Sequence, residues 1–120
     1  MGKLLIVDDE NDVCEFTKRF FLRYQIKVSV ARSGKEALEL IYRDNPDLIL
    51  LDLIMKDMSG IDVLKQLKEN HYQAKVIVVS GLVEKEIIDT VMKLGAVDFI
   101  NKPYLLENLE MSVLKAMVND

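Results

Sequence analysis

Three acidic side chains, a hydroxyl and an amine occur in this chain at the same kind of place, directly after a run of apolar residues. Lys3-Leu4-Leu5-Ile6-Val7 runs straight into Asp8-Asp9, and Leu48-Ile49-Leu50-Leu51 into Asp52. Lys75-Val76-Ile77-Val78-Val79 delivers Ser80-Gly81, and Asp98-Phe99-Ile100-Asn101 delivers Lys102-Pro103. Three carboxylates in one pocket repel one another unless a cation lies among them. Hard oxygen donors without a histidine or thiolate beside them favour Mg²⁺, which takes one or two carboxylates, keeps several waters and bridges to phosphate. A carboxylate such as Asp52 can also attack phosphorus to give an aspartyl-phosphate. Such transfers are catalysed chiefly by positioning and charge neutralisation. An ammonium such as Lys102 would supply part of that neutralisation, and the Ser80 hydroxyl can donate one hydrogen bond to a phosphoryl oxygen.

For these groups to meet, the apolar runs must lie side by side. Four consecutive bulky aliphatics before Asp52 read as a strand buried on both faces, the habit of a parallel sheet covered by helices. Ligands bind such sheets outside the carboxyl ends of the strands. Between the runs the pattern changes to helical spacing. Val13, Phe16, Thr17, Phe20 and Tyr24 predict an apolar stripe on a helix from about Asn11 to Tyr24, with Cys14 beside it. Lys27 to Ala31 is a β-branched strand, and Ser33-Gly34-Lys35-Glu36 has the form of a capping box that starts a helix ended by Asn45-Pro46. A helix over Ile61 to Lys68 follows Gly60. Another spans about Glu84 to Leu94, with Gly95 as its C-terminal cap and Val83, Ile87, Val91 and Leu94 as its core stripe. The last runs from about Leu106 to Val118, with Leu106, Leu109, Val113 and Met117 facing inward. Strand and helix alternate five times with short links, which predicts an α/β fold: a doubly wound parallel sheet with right-handed crossovers and helices on both faces.

Length and composition narrow the function classes. With 120 residues the chain is one domain, expected over residues 1–120. A net charge of −4 argues against direct nucleic-acid binding, which needs a basic surface. No stretch approaches the roughly 20 apolar residues of a membrane span, and no signal peptide precedes Asp8-Asp9-Glu10. The single cysteine, Cys14, excludes an internal disulfide and suits a reducing cytoplasm.

Taken in order, these residues resemble the receiver domains of two-component response regulators. The resemblance covers essentially the whole chain. It rests on Asp8-Asp9, Asp52, Met58-Ser59-Gly60, Ser80 and Lys102-Pro103, all but the Met58 triplet at a strand end. It implies a flavodoxin-like (βα)5 sheet with strand order 2-1-3-4-5. It implies a phosphorylation-dependent switch in which Asp52 accepts a phosphoryl group from a sensor histidine kinase or a phosphotransfer protein. The implied Mg²⁺ ligands are Asp9, Asp52 and the carbonyl of Ile54, with Asp8 acting through water; Ser80 and Lys102 would grip the phosphoryl group. Phe99 matches the family's aromatic switch position, coupled to movement of the Ser80 hydroxyl. The family's face across the fourth helix, fifth strand and fifth helix serves dimerisation or partner docking. Here that face would carry Ile88 and Met92 from the fourth helix, and Leu105 and Met111 from the fifth, all four falling outside the core stripes.

The chain departs from the family in places. Lys56 stands where proline is usual, which should loosen the loop, with Asp57 beside it able to alter access. Ile54 is apolar where water must attack, so slow self-dephosphorylation is expected. Phe99 has no hydroxyl and can switch only through packing. Taken singly, each site residue has an ordinary reading: Asp8-Asp9 as helix caps, Ser80-Gly81 as a turn, Phe99 as core, His71 as a solvated loop residue. A small-molecule phosphatase working through an aspartyl-phosphate would need a second Asp two residues after the nucleophile, where Ile54 stands. A flavin-binding module would need a hydroxyl-rich phosphate cradle in place of Asp8-Asp9-Glu10. A degenerate receiver acting unphosphorylated as an interaction module would not need all five site residues.

Overall fold

In the computed structural model, which describes residues 2–118, five strands and five helices alternate along the chain. They are β1 (Lys3–Val7), α1 (Asn11–Leu22), β2 (Lys27–Ala31), α2 (Gly34–Asp44), β3 (Leu48–Leu51), α3 (Gly60–Glu69), β4 (Val76–Ser80), α4 (Lys85–Lys93), β5 (Asp98–Asn101) and α5 (Leu106–Val118). The strands pair in parallel, as the alternation predicts, in the order β2-β1-β3-β4-β5 that the resemblance to receiver domains implies. β3 lies at the centre, and all four of its aliphatics are buried. Each such side chain stabilises the fold by about 2 kcal/mol relative to exposure.

Alternation along the strands divides the core in two. Leu5, Val7, Ile49, Leu51, Val76 and Val78 face α2, α3 and α4, with Ala37, Ile41, Val63, Leu67 and Val91 packed on them. Leu4, Ile6, Leu48, Leu50, Ile77 and Val79 face α1 and α5, against Cys14, Phe21, Leu109 and Val113. Helix ends follow the sequence signals. Ser33 Oγ accepts from the Glu36 amide and Ser59 Oγ from the Asp62 amide. α2 stops at Asn45, whose φ of 51° is left-handed, ahead of Pro46. α4 closes on Gly95 at φ 105°, with Gly95 N–H donating to Met92 and Ala96 N–H to Val91, the paired bonds of a Schellman cap.

Two expected stripes shift. The buried residues of α1 are Cys14, Thr17 and Phe21, whereas Phe16 is 56% exposed and Val13, Phe20 and Tyr24 are half-buried. Thr17 turns inward as its spacing predicts, whereas Phe16 gives way to Cys14 and Phe21. Cys14 is fully buried, its thiol donates to the Asp8 carbonyl at 3.2 Å, and burial together with the Asp8 charge raises its pKa to about 11. On the fourth helix Val83 lies before the first turn and is 44% exposed, so the inward residues are Ile87, Val91 and Leu94. Among the four residues expected outside the stripes, Met92, Leu105 and Met111 are exposed, but Ile88 is half-buried.

Candidate functional site at the carboxyl edge of the sheet

The strand ends bring three carboxylates and one ammonium to a single point. Asp8 leaves β1 buried, and its amide is held by the Ala31 carbonyl at the end of β2. Asp52 leaves β3 buried, and its amide is held by the Val7 carbonyl at 3.0 Å. The backbone ladder therefore sets both acids before any side chain is placed. Ligand oxygens of Asp8, Asp9 and Asp52 lie within 4.8 Å of one another. Lys102, one residue beyond β5, reaches across with Nζ 2.9 Å from Asp8 Oδ2 and 3.3 Å from Asp52 Oδ2. Its own amide donates to the Ser80 carbonyl, which ties the β5 exit to the β4 exit.

The second carboxylate oxygen of Asp8 and of Asp52 each accepts from a backbone amide. Asp8 Oδ1 accepts from the Glu10 amide at 3.0 Å, and Asp52 Oδ1 from the Ile54 amide at 3.3 Å. Burial raises the pKa of Asp52, with Lys102 opposing and the Asp8 charge adding to the shift. Burial pulls the Lys102 ammonium down, but its hydrogen bond to Asp8 and the charge of Asp52 outweigh this and its pKa rises. Three acids facing one ammonium leave an excess of negative charge, and the donors are all hard oxygens. That donor set fits a divalent ion such as Mg²⁺.

Ser80 is fully buried at the end of β4, where its Oγ accepts from the Leu82 amide at 3.0 Å. Ile54 is 58% exposed beside Asp52. Phe99 is half-buried, pairs with Val78 in the ladder and packs on the α2–α3–α4 side of the core, as do Leu82 and Ile87. His71 is exposed, at the far end of α3. Asp57 does not turn toward the site. Its carboxylate accepts from the amides of Gly34 and Lys35 at 2.9 Å each. Nothing in residue type alone singles out that contact, since Asp57 lies 22 and 23 positions from its partners. Gly60 is a second residue whose role only the fold reveals. A Cβ there would lie 2.4 Å from the Asp52 carbonyl oxygen, so α3 starts in contact with the backbone of the site.

The sequence model of the response regulator receiver domain matches residues 4–114. This chain belongs to that family. It is 34% identical over 115 residues to the probable C4-dicarboxylate response regulator DctR of Bacillus subtilis (strain 168), a match covering 94% of this chain and 51% of that protein. The chain thus spans about half the length of that relative. The Francisella response regulator 1452 receiver domain superposes with a TM-score of 0.90 at 34% identity, over 98% of this chain and 97% of the other. Response regulator protein TrrA of Thermotoga maritima, in complex with Mg(2+)-BeF, superposes with a TM-score of 0.85 at 26% identity, over 97% and 99% of the two chains. The receiver fold, with strand order 2-1-3-4-5, is the one the sequence predicts. Among the described residues no helix is long and apolar enough to cross a membrane.

Proposed function

We propose that residues 1–120 form a phosphorylation-controlled switch in which Asp52 accepts a phosphoryl group from a histidine of a sensor kinase or phosphotransfer protein. The observation that carries this reading is the meeting of Asp8, Asp9 and Asp52 within 4.8 Å, with Lys102 Nζ between two of them. Asp9, Asp52 and the Ile54 carbonyl would hold Mg²⁺, with Asp8 contributing through water; the complex of TrrA with Mg(2+)-BeF supports carrying that metal over. Bound there, Mg²⁺ would neutralise the carboxylates and the developing charge on the phosphoryl oxygens.

The chain's own residues supply the rest. An oxygen of Asp52 forms the new bond to phosphorus as the bond to the donor nitrogen breaks. Lys102, already within 3.3 Å of Asp52, is placed to neutralise a phosphoryl oxygen. Ser80 Oγ accepts from the Leu82 amide and keeps its own O–H to donate to the same group. Movement of the Ser80 hydroxyl toward that group would be answered by Phe99, half-buried on the same side of the core as Leu82. The added dianion then stabilises an active conformation that the unmodified chain populates little. Met92, Leu105 and Met111, with half-buried Ile88, offer apolar surface for an output partner or a second copy of the chain. The reaction is performed by the chain on itself, in keeping with a regulatory module of the cytoplasm.

Incubation with acetyl phosphate and Mg²⁺, followed by intact mass measurement, tests this. A gain of one phosphoryl mass is expected in the parent chain and none in Asp52→Asn. Equal labelling of the two, or no labelling of either, removes Asp52 from the role. Sedimentation of the labelled sample would show whether the exposed apolar face then associates.

A further inference from the structure

The loop between β3 and α3 carries Ile54, whose amide bonds the Asp52 carboxylate, yet it lacks the proline that would stiffen it, with Lys56 in that place. What ties the loop down instead is a clasp onto α2. Asp57 spans the first two amides of α2, Gly34 and Lys35, with one carboxylate oxygen on each. These bonds hold the Asp57 carboxyl below the usual carboxylate range. Met58 completes the clasp by packing over Gly34 so closely that a Cβ there would lie 2.1 Å from its Cγ. The rest of the α2 terminus is already served, since Ser33 Oγ takes the Glu36 amide and Glu36 takes the Arg32 amide.

The clasp closes a ring around the acids. Asp52 is bonded through its amide to Val7, Asp8 through its amide to Ala31, and α2 begins three residues after Ala31. Asp57 joins that helix back to the loop that follows Asp52. We infer that Asp57 is a positioning residue: by locking the β3–α3 loop to α2 it sets where the Ile54 backbone stands relative to Asp8, Asp9 and Asp52. This rests on the reading of those acids as an Mg²⁺ site. Asp57 touches no reacting atom and acts through the backbone of residues 53–59. Because Asp57 is exposed, its carboxylate is open to competition from solvent and salt, so the lock is reversible.

The test compares Asp57→Ala with Ser33→Ala, which removes a cap from the same helix without touching the loop. Two quantities are read on the whole chain: the Mg²⁺ dissociation constant by calorimetry, and amide hydrogen exchange of residues 54–59 without metal. Both variants should lower the melting temperature through lost capping. Only Asp57→Ala should weaken Mg²⁺ binding, by about ten-fold, the low end of the range for groups that orient a metal's ligands. Only Asp57→Ala should accelerate exchange in the loop, and Asp57→Asn, which keeps an acceptor oxygen, should recover part of both. If the two alanine variants behave alike in loop exchange, or if Asp57→Ala leaves it unchanged, the positioning role is wrong. If the parent chain binds no Mg²⁺, the proposed metal site fails instead, and the exchange comparison still decides the clasp.

Discussion

Ile54 is the residue through which the lifetime of the state proposed for Asp52 can be tested. Its amide is bonded to the Asp52 carboxylate, so its side chain cannot move far from the rim of the site, and 58% of it faces solvent. On the proposed reading, water that removes a phosphoryl group approaches past this apolar surface. Asparagine would offer a donor and an acceptor for that water. Ile54→Asn is therefore expected to speed loss of the phosphoryl group roughly ten-fold, equivalent to about 1.4 kcal/mol of barrier. Following the intact mass over time after removing acetyl phosphate checks this; a parent chain that decays within seconds, with the variant no faster, would sink the idea. At this scale the sequence was most legible where chemistry demands a residue type. Asp8, Asp9, Asp52 and Lys102 stand together as their types and positions predict. Asp57 was not legible in that way, because a carboxylate in a polar loop carries no sign of which distant amides it will meet.

Gly60 makes the corresponding point for an element. α3 begins against the backbone that carries Asp52: Gly60 N–H donates to the Leu53 carbonyl at 2.9 Å, and a Cβ at Gly60 would sit 2.4 Å from the Asp52 carbonyl oxygen and 2.9 Å from Leu53 Cα. Backbone atoms cannot swing aside as a side-chain tip can. Gly60→Ala should therefore push α3 away from the site and cost about 2 kcal/mol by overpacking. A urea titration that finds the variant within about 0.5 kcal/mol of the parent, the range of an unremarkable surface change, would show that the helix start yields freely. Strands and helices were legible as elements because their periods differ, and β3 is the clearest case, with four aliphatics in a row and all buried. The facing of α1 was legible only in part: Thr17 turns inward as its spacing predicts, but so do Cys14 and Phe21, which lie off that stripe, while Phe16 is left outside. Ile88, expected outside its stripe, is half-buried.

For the molecule as a whole, stability should depend on pH through the ion cluster that closes the carboxyl edge. The pKa of Lys102 is raised in the folded chain, so its contribution is fully present below the ordinary lysine value and is lost as pH rises through the folded value. The pKa of Asp52 is raised as well, so at neutral pH its buried charge costs stability, and that cost is relieved only as pH falls through the raised value. The urea midpoint of the parent chain is therefore expected to fall as pH climbs through the lysine range, and to fall less in Lys102→Ala. Parallel curves for the two would show that the pair contributes nothing to folding. The amino-acid sequence by itself determined the order and kind of the elements and the residues that leave the strand ends, because hydrophobic period and residue chemistry are local properties. Only the tertiary structure decided which helix faces turn inward, that Asp57 clasps α2 rather than lining the site, and that Lys102 bonds both Asp8 and Asp52. Those outcomes depend on distances between residues up to 94 positions apart, which chain order does not encode until the sheet has assembled.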